Sequence, residues 1–271
     1  MTNVSIVTYK TDSEELQKCL NSLKNNNVNK IYIIDNAREK RIEDICAQNE
    51  KTIYIGNENS GYGAGHNIAI RLSIAEKADY HLVLNSDVTF ESSVIDKLTE
   101  YMDRHEDVAQ AQPAIVYPDG KTQYTCRLLP TPADVIFRRF LPECISRKND
   151  ERYLLKFFDR KTEANIPYHQ GSFMFFRTKC FETVGLFDER FFMYPEDIDI
   201  TRRMHRQFRT MFVPVVTVTH RHNAESYKSL RMTMIHAVNM IRYFNKWGWF
   251  FDKERSAVNK ATIEALRQAN K

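Results

Sequence analysis

Val4-Ser5-Ile6-Val7-Thr8-Tyr9, then Leu16, Cys19, Leu20 and Leu23, then Ile31-Tyr32-Ile33-Ile34-Asp35-Asn36: this stretch decides the fold class. The two outer runs are short, apolar and rich in β-branched residues, which is the signature of strands. Between them the apolar positions recur at i, i+3, i+4 and i+7, which is that of a helix. Thr11-Asp12-Ser13-Glu14 has capping-box spacing at the front of the helix, and Asn25-Asn26-Asn27 closes it. The pattern then repeats in Ile53-Tyr54-Ile55, a helix over 68–75 and His81-Leu82-Val83-Leu84. Strands alternating with helices predict an α/β fold, with a mostly parallel, Rossmann-like central sheet flanked by helices on both faces. In such sheets ligands bind beyond the carboxyl ends of the strands. Thr8-Tyr9, Asp35-Asn36, residues 57–67 and Asn85-Ser86-Asp87 hold those positions.

Composition narrows the class. With 271 residues, 42% hydrophobic, 27% charged and 12% aromatic, the chain suits one large globular domain or two small ones. Disorder, collagen-like structure and a small disulfide scaffold are excluded. No run approaches the ~20 apolar residues of a membrane span, and the sequence from Met1 to Val7 has no signal-peptide pattern, so a cytoplasmic location is expected. Cys19, Cys46, Cys126, Cys144 and Cys180 are scattered and form no CxxC pair, which fits a reducing compartment and argues against a cysteine zinc site. The net charge of +4 is unevenly placed: residues 201–271 hold 14 Lys and Arg against 4 Asp and Glu, and residues 1–200 hold 25 against 31. A basic face of this kind can meet nucleic acid, anionic lipid or a phosphorylated substrate, or be only a solvated helical surface.

Beyond residue 113 the pattern loosens. Pro118-Asp119-Gly120 and Pro130-Thr131-Pro132 are turn signals, and the charged stretch 138–165 reads as a mobile insertion. A strand over 172–176, a helix over 178–184, a strand over 213–218 and an amphipathic helix over 229–246 follow, with no internal repeat and no linker. One continuous domain over 1–246 is expected, with halves at 1–112 and 113–228, and a C-terminal helical extension from 229 to 271.

Four constellations could carry chemistry. Gly61-Tyr62-Gly63-Ala64-Gly65 is GxGxG and not the dinucleotide GxGxxG, so it reads either as close backbone approach to a ligand, with Asn67 near a helix N-terminus, or as a surface turn. Asn85-Ser86-Asp87 puts one carboxylate at a strand end, where it could hold a divalent cation or cap a helix. Glu196-Asp197-Ile198-Asp199 packs three carboxylates into four residues beside aromatics. Their repulsion calls for a metal, arginines or a catalytic task, unless they form only a solvated acidic helix N-terminus favoured by the dipole, and Arg202 and Arg203 stand at helical spacing to pair with Asp199. His220, with His222 nearby, follows a β-branched strand and is either a metal ligand or a hydrogen-bonded structural residue.

The order of these motifs, with Gly171-Ser172-Phe173-Met174 and Gly185-Leu186-Phe187-Asp188-Glu189-Arg190-Phe191-Phe192 between them, resembles the family 2 glycosyltransferases and, within them, the rhamnosyltransferase-like branch. The resemblance runs from residue 4 to about 246 and is most specific between Gly171 and Arg203. It implies a GT-A fold: a nucleotide-sugar-binding half (1–112) continuing into an acceptor-binding half. It also implies inverting transfer from a nucleotide-diphosphate sugar, dTDP- or UDP-linked, to a saccharide acceptor in cell-surface polysaccharide or glycan assembly, with Mg²⁺ or Mn²⁺. By the same resemblance Thr8, Tyr9 and Asp35 would contact base and ribose. Asn59, Gly61, Gly63, Gly65 and Asn67 would approach the nucleotide and its phosphates, joined by Asn85, Ser86 and Asp87. Asp87 and His220 would hold the metal, Asp197 would be the base, Glu196 would orient the acceptor, Gly171 would support the site, and Arg203 would steady Asp199. Asn85 stands where a full Asp-x-Asp motif has its first acid, so Asp87 is the only carboxylate there.

Tyr243-Phe244-Asn245-Lys246-Trp247-Gly248-Trp249-Phe250-Phe251 joins aromatics to the basic tail. It fits peripheral docking at the inner face of the plasma membrane to reach a lipid-linked acceptor, or equally a seal on the core or on a second subunit. Two further readings compete. A sugar nucleotidyltransferase would carry a Gly-rich Arg/Lys motif where Thr8-Tyr9-Lys10 stands, and a non-catalytic nucleotide-sugar-binding scaffold would have lost the carboxylates that this chain keeps. No nucleic-acid-binding module is visible.

Overall fold

The computed structural model describes residues 1–140, 143–221 and 230–269, with the backbone alone at 137–140, 143–146 and 148; His222 lies outside the described residues. The first unit forms as its pattern dictates: β1 (Thr2–Thr8), α1 (Ser13–Lys24) and β2 (Lys30–Asp35). Asp12 caps α1 by accepting from Glu15 N at 3.0 Å, one residue later than the expected box. Next come α2 (Lys40–Cys46), β3 (Thr52–Gly56), α3 (Tyr62–Ala75), β4 (Tyr80–Leu84), β5 (Val88–Thr89), α4 (Val94–Arg104) and β6 (Val108–Val116). The less regular half holds β7 (Cys126–Arg127), α5 (Pro132–Phe140), α6 (Glu143–Tyr153), β8 (Ala164–Asn165) and β9 (Tyr168–His169). β10 (Phe173–Arg177), α7 (Cys180–Val184), α8 (Pro195–His205), β11 (Arg209–His220), α9 (Leu230–Trp247) and α10 (Lys253–Ala269) complete the chain.

The main sheet runs β3-β2-β1-β4-β10-β6-β11-β5, with β8 on β11. It is parallel across β3-β2-β1-β4 and between β6 and β11, while β10 lies antiparallel to both β4 and β6. Because side chains alternate along a strand, β10 feeds two cores: Phe173 and Phe175 pack with Leu82, Leu84 and Leu98 on one face, and Met174 and Phe176 with Val83, Ile200 and Met204 on the other.

Three expectations change. α3 begins at Tyr62 instead of 68, because Gly63 and Gly65 are helical. Glycine is a poor helix former, which is why the pattern hid this first turn. Residues 153–158, expected within a mobile insertion, are anchored: Leu155 and Phe158 are buried in a further core cluster, each contributing about 1.5–3 kcal/mol. The same cluster contains Tyr243, Phe244 and Leu266, so α9 and α10 are part of the core of the second half and not an appendage.

Candidate active site

The site is assembled where β4 and β11 end and β10 and α8 begin. Pro195 opens α8 at its first position, where its missing N–H costs nothing. Tyr194, just before it, is held at φ 98°, a left-handed backbone that is strained for a residue with a Cβ. That turn aims Glu196 and Asp197 into a cavity of about 640 Å³, which is also lined by Tyr62, Asn85, Arg127 and His220.

Asp197 is buried and hydrogen-bonded on both oxygens. Ile198 N donates to Oδ1 at 2.8 Å, and Gly171 N at 3.0 Å and the Tyr168 hydroxyl at 3.3 Å donate to Oδ2. Burial pushes its carboxyl up to about 6 against the pull of these donors and of Arg127. Glu196 is raised further, by burial first and by Asp197 second, and its Oε2 is buried without a hydrogen-bond partner. A Cβ on Gly171 would stand 3.3 Å from the Asp197 Cβ, so the residue before Ser172 must be small for α8 to approach β10. The Tyr62 hydroxyl lies 2.7 Å from Gly171 O and 2.8 Å from Asn85 Oδ1, tying α3 to the ends of β4 and β10. Burial first, and then the charges of Glu196, Asp197 and Asp87, push this phenol strongly upward.

Asp87 and His220 meet because β5 pairs antiparallel with the end of β11, setting His220 opposite Val88. His220 Nε2 is 3.2 Å from Asp87 Oδ1. Gln123 donates to the His220 carbonyl at 2.6 Å, which turns its Oε1 toward Nδ1 at 2.8 Å and lets Nδ1 donate to it. An imidazole nitrogen and a carboxylate oxygen, brought together in this way, are both ligand types that a divalent cation accepts. Among the described residues no group of three or more His, Cys, Asp or Glu forms a ready metal cluster. The pair with its Gln123 support nevertheless fits a cation that a substrate helps to bind.

The remaining expected residues divide. Asn59 is exposed and accepts from Gly61 N at 3.3 Å, and Tyr9 is half exposed, so both stand where a ligand could reach them. Ser86 is half-buried and donates to Glu15. Gly61 needs its glycine: φ is +102°, and a Cβ would lie 2.3 Å from Phe192 O. Gly63, Gly65 and Asn67 do not line the cavity. A Cβ on Gly63 would meet Phe187 at 2.9 Å and one on Gly65 would meet Val7 at 2.8 Å, while Asn67 is clamped on the backbone of Phe187 and on Glu189. Small size here serves helix packing. Thr8 and Asp35 are fully buried: the Thr8 hydroxyl, Ala37 N, Glu39 N and the Tyr54 hydroxyl all donate to the Asp35 carboxylate, which closes the turn after β2. Arg203 does pair with Asp199, at 2.8 Å, and also donates to the carbonyls of Val184 and Leu186. Tyr62, Gln123, Arg127 and Tyr168 were not expected; Gln123 and Arg127 come from a stretch with no periodicity to mark them.

The Glycosyl transferase family 2 profile matches residues 4–185, which takes in β1 through the end of α7. The chain belongs to that family. Among similar proteins, this family 2 member is 28% identical to the low-salt glycan biosynthesis hexosyltransferase Agl10 of Haloferax volcanii, over 76% of this chain and 62% of that one. It is 29% identical to the N-acetylglucosaminyl-diphospho-decaprenol L-rhamnosyltransferase of Mycobacterium tuberculosis, over 62% and 57%. The chain thus spans about three-fifths of the length of these relatives. In fold it is similar to GalNAc-T7 crystallised with UDP, GalNAc and Mn²⁺ (TM-score 0.59, 16% identity, 81% of this chain and 43% of that one). It is also similar to residues 1–349 of TarS from S. aureus (TM-score 0.54, 13% identity, 90% and 72%). Both likenesses place the architecture in the GT-A class.

Proposed function

We propose that the protein is an inverting glycosyltransferase that moves rhamnose or another hexose from a dTDP- or UDP-linked donor to a hydroxyl of a saccharide acceptor in surface-glycan assembly. The observation that carries this reading is the Asp197 carboxylate, buried at the cavity wall with its proton affinity raised to about 6. A base with that affinity is ionised at neutral pH and still strong enough to draw a proton from a hydroxyl attacking the anomeric carbon. Its three hydrogen bonds fix the carboxylate's direction, so the hydroxyl must arrive from the cavity side. Burial and the Asp197 charge favour the protonated form of Glu196, whose Oε2 has no hydrogen-bond partner among the described residues and would donate to an acceptor oxygen.

Asp87 and His220 are the residues that would hold Mg²⁺ or Mn²⁺. When bound, such an ion supplies positive charge to the leaving diphosphate. Asn85, fixed by the Tyr62 hydroxyl on its Oδ1, would hydrogen-bond a ribose or a coordinated water. The relatives named for rhamnosyl or hexosyl transfer support the sugar class, and the fold neighbour holding UDP and Mn²⁺ supports the donor and metal class.

A panel of nucleotide sugars tests this through release of nucleotide diphosphate and transfer to saccharide acceptors. Asp197→Asn should lower transfer at least about a hundredfold, the scale of a lost general base, while donor binding persists. Full transfer by that variant would remove Asp197 from the chemistry.

A further inference from the structure

α9 is apolar on two faces. Its inner face buries Met240, Tyr243 and Phe244, and His236 and Met240 line the catalytic cavity. Roughly opposite, Leu230, Met234, Val238 and Ile241 are all exposed, the first two by 85% and 68%. At 3.6 residues per turn these four fall within about 80° of arc, a continuous stripe along the helix. A helix that is hydrophobic on both sides is normally covered on both. The aromatic run that follows does not supply a docking surface as a whole, because Tyr243 and Phe244 are core residues and Trp247 lies against the guanidinium groups of Arg202 and Arg206, at 4.1 and 4.4 Å.

Charge selects the occupant. Between residues 230 and 251 the chain carries Arg231, Arg242 and Lys246 and no Asp or Glu. Arg231 and Arg242 are exposed and flank the stripe on one side. We propose that the outer face of α9 docks on an anionic lipid bilayer, with the stripe at the acyl boundary and the arginines among the head groups. A second copy of the chain suits the face less well. Four side chains fall far short of the 20–30 residues per side of a stable dimer, and a two-fold pairing would bring like-charged arginines together.

Docking has a consequence for the substrate. The cavity and the lipid contact lie on opposite faces of one helix, which is about 10–12 Å across. An acceptor sugar on a lipid carrier could therefore enter the cavity without its carrier leaving the bilayer. This acceptor class rests on the transferase reading above, whereas the docking does not.

Flotation with vesicles, in the absence of donor and acceptor, tests the docking alone. The wild-type protein should float with 7:3 phosphatidylcholine:phosphatidylglycerol vesicles at low salt, release as salt rises, and ignore pure phosphatidylcholine. Met234→Glu/Val238→Glu should reduce partitioning at least tenfold with an unchanged circular dichroism spectrum and unchanged donor hydrolysis. No flotation of the wild type, or full flotation of the double variant, overturns the proposal. So does a wild-type dimer that the double variant converts to monomer, which would assign the face to a second copy. Loss of donor hydrolysis in the wild type would count against the transferase reading and leave the docking result standing.

Discussion

Glu196 and Asp197 carry a cost that sets their pH behaviour. Each holds its proton more tightly in the fold than an unfolded carboxyl does, chiefly because burial disfavours the charged form. The unfolded chain releases those protons near pH 4, so the folded state binds more protons above that pH and its stability falls as pH rises. Wild-type melting temperature should therefore decline from pH 5 to 7 more steeply than that of Glu196→Gln, which has no proton to hold; parallel declines would show that Glu196 is not the source. Catalysis has the opposite slope, because the base must be ionised: transfer rate should climb with pH through about 6 and level off above it. A rate independent of pH between 5 and 7 would mean that another group takes the proton. If Asp87 and His220 hold the proposed metal, one carboxylate and one imidazole offer it few ligands. Calorimetry should thus find weak Mn²⁺ binding to the protein alone and tighter binding once nucleoside diphosphate is added, with tight binding to the protein alone as the contrary result.

α3 shows how an element can be misread while its residues are read correctly. The glycines at 61, 63 and 65 stood out in the sequence, yet composition does not say what approaches a small residue. For Gly63 and Gly65 the neighbours are Phe187 and Val7, and only Gly61 has the positive φ that demands glycine. Replacing a helical glycine by alanine ordinarily stabilises by about 1 kcal/mol. At Gly65 the added methyl would lie 2.8 Å from the branched Val7 side chain, and overpacking of this kind costs about 1–3 kcal/mol. Gly65→Ala should melt lower than wild type and Gly65→Ala/Val7→Ala should recover; a higher melting point for the single variant would show that the room exists. The other elements divide by the same logic. β1, α1, β2, β4 and the front of α8 were legible because periodicity and clustered carboxylates are local. The internal role of Asp35 was not legible, because a strand-end carboxylate looks the same in sequence whether or not it meets four donors from its own chain. Gln123 and Tyr168 acquire their roles through pairings 97 and 29 residues long in sequence, which no local pattern encodes.

Across the whole molecule, Asp199 is the fastening between the site and the C-terminal helices. Buried in α8, it receives Arg203 at 2.8 Å, Lys246 of α9 at 2.6 Å and the Trp247 ring N–H at 2.8 Å. Asp199→Asn would leave two cations facing a neutral amide; removing one partner of a buried ion pair costs about 3–5 kcal/mol. A large fall in melting temperature is expected, and a fall under about 2 °C would mean that the cations relax to solvent.

β10 joins what the chain makes early to what it makes late. β4 and β6 are not neighbours; each pairs with β10, and β6 pairs on its other edge with β11. During synthesis, β1 to β4 can form their parallel sheet as soon as they leave the ribosome, but β6 must wait some 60 residues for Phe173–Arg177 to be translated. Until then two strand edges lie open to any passing strand, the condition under which nascent chains aggregate. The same short strand that lies between β4 and β6 in the finished sheet is thus the step on which closure of that sheet depends.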